Sequence, residues 1–84
     1  MIKKHVILAS QCLGARAMLG WSRLQLADAA SVAERTVIDF ERGARRPYDR
    51  TIADIRAALE DAGIEFIDEN GGGPGVRLKH RART

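Results

Sequence analysis

Glu34, Arg35, Asp39 and Arg42 fall within nine residues, and Arg45, Arg46 and Arg50 follow within eight more. These side chains donate and accept hydrogen bonds strongly, so what they could do depends on which way they point. The stretch from Glu34 to Arg42 has helical apolar spacing. A helix advances about 100° per residue. With Glu34 set at zero, Ile38 lies near 40°, Arg42 near 80°, Arg35 near 100° and Asp39 near 140°. These five share one face. Ala33, Thr36, Val37 and Phe40 fall opposite, between about 200° and 300°, so Val37 and Phe40 are expected in the core. The outward face then carries donors (Arg35, Arg42), acceptors (Glu34, Asp39) and one apolar residue, Ile38. The major groove of DNA displays the complement of that mixture. Arginine bonds guanine, a carboxylate accepts from cytosine, and an apolar group meets a thymine methyl. The competing reading is a solvated face whose opposite charges pair along the helix.

The neighbourhood favours the first reading. Arg45, Arg46 and Arg50 form a basic stretch after the helix, and Arg23 sits in the first turn of the preceding helix. A helix N-terminus disfavours a cation but suits a phosphate held by backbone N–H groups and an arginine together.

Other chemistry is hard to assemble. Cys12 is the only cysteine, so neither an internal disulfide nor a multi-cysteine metal site is available. It lies on the core side of its helix and reads as an inert buried thiol. His5 and His80 have no partners at ligand or triad spacing, and Met18 and Trp21 read as packing residues. "NGGGPG", 70–75, lacks the Gly-Lys-Ser/Thr ending of a phosphate loop and reads as a flexible connection. No nucleophile with a base, no paired carboxylates and no metal cluster emerge, so no catalysis, cofactor or metal is expected.

The elements that must position the charged face are legible. A first helix spans about 10–20, ended by Gly20, with Gly14 as an internal weakness. A second opens at Ser22, where "SRLQ" has the form of a capping box, and ends near 29 or 30. The third covers 33–42 and is capped by Gly43. The short link between the second and third predicts a helix-turn-helix. A fourth runs over 49–62, with Asp49 as its expected cap and Gly63 as its stop. Residues 64–68 and 76–79 read as two strands joined by the glycine-rich loop, and the basic tail 79–83 as a solvated end.

The chain has 84 residues and a net charge of +3, which suits a single domain, 1–84. Within it, 10–62 would be the bundle and 63–80 a C-terminal hairpin. No apolar run is long enough for a bilayer, and the N-terminus lacks the apolar length of a signal peptide. With a single thiol, a cytoplasmic setting is expected.

The segment "LGWSRLQLADAASVAERTVIDFERGARRP", with "TIADIRAALEDAGIEF" after it, resembles the Cro/CI-type helix-turn-helix family of phage and bacterial repressors. The resemblance covers roughly residues 10–66. It implies a mainly α fold, a lambda-repressor-like bundle of four helices, here followed by a β-hairpin. It also implies that the third helix is the recognition helix, with Glu34, Arg35 and Asp39 at base-reading positions; the helix-face reading adds Ile38 as an apolar base contact. By the resemblance, Arg23 and Thr36 would face phosphates or the groove edge and Arg45 and Arg46 would contact the backbone; by their place in the basic stretch, Arg42 and Arg50 are expected to join them. Arg16 and Glu41 match a buried ion pair joining the first helix to the third. Two departures stand out. Ser31 occupies the family's turn glycine, a position that often needs positive φ, and Ala33 replaces the usual hydroxyl cap.

Strand 64–68 is expected to mediate a twofold dimer through Ile64, Phe66 and Ile67, with "KKHVI" (3–7) as a further strand beside the hairpin. The partners implied are a palindromic operator in double-stranded DNA and a second copy of the chain. The expected function is a dimeric repressor. Two alternatives remain: the antitoxin of a toxin–antitoxin pair, with a toxin as protein partner, and an adaptor that binds protein on the same fold.

Overall fold

The computed structural model describes residues 6–80. Four helices, α1 (Ala9–Leu19), α2 (Arg23–Ala30), α3 (Glu34–Arg42) and α4 (Asp49–Asp61), precede strands β1 (Ile64–Ile67) and β2 (Gly75–Leu78). The protein is thus an α bundle with a C-terminal antiparallel hairpin.

Three successive helices end the same way. Gly20, Ser31 and Gly43 adopt left-handed backbone conformations, with φ of 69°, 58° and 70°. Beyond each, an N–H folds back to a carbonyl five residues earlier: Trp21 to Arg16, Val32 to Ala27 and Ala44 to Asp39. This satisfies carbonyls that a helix end would leave orphaned and turns the chain sharply. The expected caps at Gly20 and Gly43 are present. Ser31 adopts the conformation without a glycine's freedom.

The helix starts differ from one another. Ser22 Oγ accepts from the Gln25 N–H while Gln25 Oε1 accepts from the Ser22 N–H, the reciprocal box read from "SRLQ". Gln11 Oε1 accepts from the Leu8 N–H at 2.8 Å, and its Nε2 donates to the Gly75 carbonyl at 3.0 Å, so a buried amide ties α1 to β2. Ala33 supplies no side-chain cap to α3. Asp49 does not cap α4: Tyr48 holds that position, and Asp49 is the first helical residue. Its carboxylate still suits the positive end of the helix.

The core joins Leu26, Val37, Ile52, Ile55, Leu59 and Ile64, all fully buried. Gly14 faces β2, where a Cβ would make an ordinary contact of 3.4 Å with Val76 Cγ2. The hairpin pairs Ile64 with Leu78, Glu65 with Arg77 and Phe66 with Val76. Strand residues alternate between faces. Ile64, Phe66, Val76 and Leu78 therefore face the helices, and Glu65 and Arg77 pair outside with two hydrogen bonds of 3.1 Å. Arg56 of α4 lies 5.1 Å from the Phe66 ring centre.

This alternation corrects the expected dimer surface. Ile64 and Phe66 are 1% and 8% exposed and belong to the protein's own core. Only Ile67 is on the outer side, half-buried. The strand expected from 3–7 is absent from its described part: Val6 and Ile7 are not strand, and Ile7 is buried in the core. Lys3, Lys4 and His5 lie outside the described residues, as do 81–83 of the tail. His80 is exposed. No helix among the described residues is long and apolar enough to cross a membrane.

Candidate nucleic-acid interface

The site is built from the back of α3 outward. Val37 and Phe40 sink into the core, and the Glu41 side chain, only 1% exposed, follows them. Its carboxylate accepts from Arg16 Nε at 3.0 Å, Arg16 Nη2 at 2.9 Å, Arg23 Nε at 3.1 Å and Cys12 Sγ at 3.3 Å. Arg16 also donates to the Trp21 carbonyl at 2.9 Å. One carboxylate thus binds α1, α2 and α3 together. Burial pushes the Glu41 carboxyl upward, but hydrogen bonds from Arg16, Cys12 and Arg23 outweigh it and leave the group below its ordinary range. The hydrogen bond to Glu41 raises Arg16 further. Burial, then the neighbouring Glu41 charge, pushes the Cys12 thiol far up. The pair Arg16–Glu41 stands as the resemblance implies; spacing did not reveal that Cys12 and Arg23 share the same carboxylate.

The front of α3 carries the residues expected to read bases. Glu34, Arg35 and Arg42 are exposed, whereas Ile38 and Asp39 are half-buried. Arg35 Nε stands 3.2 Å from Asp39 Oδ1, so the pairing along the helix that competes with a reading role is present. The Arg35 side chain nevertheless remains 74% exposed. Ala33 is exposed because it precedes the first helical turn, although its angular position belongs to the inner face.

Arg42, Arg45 and Arg50 are exposed and form no ion pair among the described residues. Arg46 donates to Asp49 Oδ1 at 2.8 Å, with 60% of its side chain still open. Arg23, expected to meet phosphate, spends Nε on Glu41 and keeps 42% of its side chain exposed. Thr36 is half-buried. A cleft of about 520 Å³ lies between α3 and the α3–α4 loop; Arg35, Thr36, Asp39, Arg45, Arg46 and Tyr48 are among its walls. It gathers five of the expected contact residues on one side of the molecule. Ile64, Phe66 and Ile67 lie apart, on the hairpin packed against α1 and α4.

Tyr48 was missed by sequence reasoning. It is 87% exposed at the cleft wall. The available signal was an aromatic residue between Pro47 and Asp49 in an otherwise charged stretch. No cluster of three potential metal ligands occurs among the described residues.

No family model matches the chain, and no curated protein matches it by sequence.

Proposed function

We propose that this protein is a sequence-specific, double-stranded-DNA-binding transcriptional regulator, a cytoplasmic repressor that acts as a homodimer on a palindromic operator. Helix α3 enters the major groove and the arginines after it hold the flanking phosphates. No catalysis or cofactor is part of this reading. The observation that carries it is the two-sided construction of α3: Glu41 locks its back to α1 and α2, while Arg35, Glu34 and Arg42 face out beside a loop bearing Arg45 and Arg46. A rigid helix with an open, mixed donor and acceptor face is what base reading requires. The resemblance of residues 10–66 to the Cro/CI-type family supports the same reading. Ile64 and Phe66 have no part in the dimer contact now; the open edges of the two-stranded sheet offer main-chain pairing instead.

The test is equilibrium binding of a mixed-sequence duplex as salt is raised. Affinity should fall steeply. Arg45→Ala and Arg46→Ala should each weaken binding to all sequences alike and reduce the logarithmic salt slope by about 1. Absence of duplex binding at low salt, or indifference to both substitutions, would move the assignment to a protein-binding adaptor.

A further inference from the structure

The ion pair on the outer face of α3 bears on which base is read. Arg35 is the most open of the paired arginines, at 74% exposure, and Asp39 beneath it is only 20% exposed. Their contact runs through Arg35 Nε and Asp39 Oδ1, at 3.2 Å. The nitrogen nearest the carboxylate is therefore the one closest to the arginine's own stem. The terminal Nη1 and Nη2 lie farther along the side chain, at its open end. Two parallel N–H donors at the tip of a planar fork match the O6 and N7 acceptors of guanine. A free arginine loses much rotamer freedom when it docks, and a fork already held by a carboxylate loses less.

We infer that Arg35 is the specificity-determining reader of a guanine in each half-site, and that Asp39 is the positioning residue that aims it. This rests on the DNA-binding reading above and adds the base. Asp39 does not contact the base. The ion pair favours one orientation of the guanidinium plane, from which both terminal donors reach the two acceptors.

The experiment uses a duplex that the full chain has enriched from a random pool, with each guanine replaced in turn by 7-deazaguanine, which lacks the N7 acceptor. The wild-type chain should lose about 2- to 10-fold in affinity at one symmetry-related guanine, as expected for loss of one of the two bonds of a bidentate contact. Arg35→Ala should bind the unmodified duplex more weakly and show no remaining penalty for the modified base. Asp39→Asn should reduce that penalty while its thermal melt stays close to wild type, which separates aiming from folding. If no guanine is sensitive, or if Arg35→Ala keeps the full penalty, the inference is overturned while DNA binding stands. If the chain enriches no sequence, both the inference and the reading beneath it fall.

Discussion

At the scale of single residues, Glu41 decides more than any other side chain. A carboxylate that is 1% exposed would be strongly unfavourable alone. Here Arg16, Arg23 and Cys12 donate to it, and the three donors come from two other helices. Removing one partner from such a buried pair strands the others, which typically destabilises by about 3–5 kcal/mol. Glu41→Ala should therefore lose on the order of 3 kcal/mol in chemical denaturation, far more than any substitution at the exposed Glu34. The pH dependence has a definite sign. Glu41 is held below its ordinary value of 4.5, so its contribution is complete above that value and is lost as pH falls through the lower native one. Acid unfolding of the wild type should carry this loss, and Glu41→Gln should show a flatter profile as pH falls below 4.5. An equally steep profile in the variant would show that other carboxylates carry it.

At the scale of elements, the helix ends do most of the shaping. Gly20, Ser31 and Gly43 each reverse the chain, and the reversal at Ser31 sets α3 against α2. Glycine takes this conformation freely, whereas serine bears a penalty of roughly 1–2 kcal/mol. Part of any gain from glycine is offset by a freer unfolded chain. Ser31→Gly should accordingly raise stability by about 0.5–1 kcal/mol, seen as a melting temperature about 3–6 °C higher. A fall would mean that the hydroxyl stabilises the turn. These ends were readable because Gly20, Gly43 and "SRLQ" are local signals, as were the order of the helices and the inward turn of Val37 and Phe40. What depended on distant partners was not readable. The three apolar residues of β1 looked like surplus surface for a dimer. The alternation that sends Ile64 and Phe66 inward was in the sequence, but the space available beside α1 and α4 was not. Likewise, Cys12 and Arg23 are far from Glu41 in the chain, so nothing local announced that they share its carboxylate. Asp49 looked like a cap because of its residue type, yet the chain enters α4 one residue earlier, at Tyr48.

At the scale of the whole molecule, charge and size set what one copy can do. The net charge of +3 is modest. Several cations are already paired: Arg16 and Arg23 with Glu41, Arg35 with Asp39, Arg46 with Asp49, Arg56 with Glu60 and Arg77 with Glu65. Arg42, Arg45 and Arg50, which lack such pairs among the described residues, all lie at the end of α3 or just beyond it. On the DNA-binding proposal, these arginines add attraction for phosphate near α3, and acidic Glu34 and Asp39 on its outer face limit binding to arbitrary duplex. The described molecule measures 34 × 31 × 19 Å, close to one turn of DNA in its longer dimensions. On that proposal, one copy places one α3 in one half-site. The proposed dimer requires the two α3 helices to sit about one turn of DNA apart, roughly 34 Å.

That geometry makes the most direct measurement a selection from a random duplex pool by the full chain at near-physiological salt, with the bound sequences read out. The account predicts enrichment of an inverted repeat whose half-sites are centred about 10 base pairs apart. Recovery of an unenriched pool, bound only through salt-sensitive attraction or not at all, would contradict it.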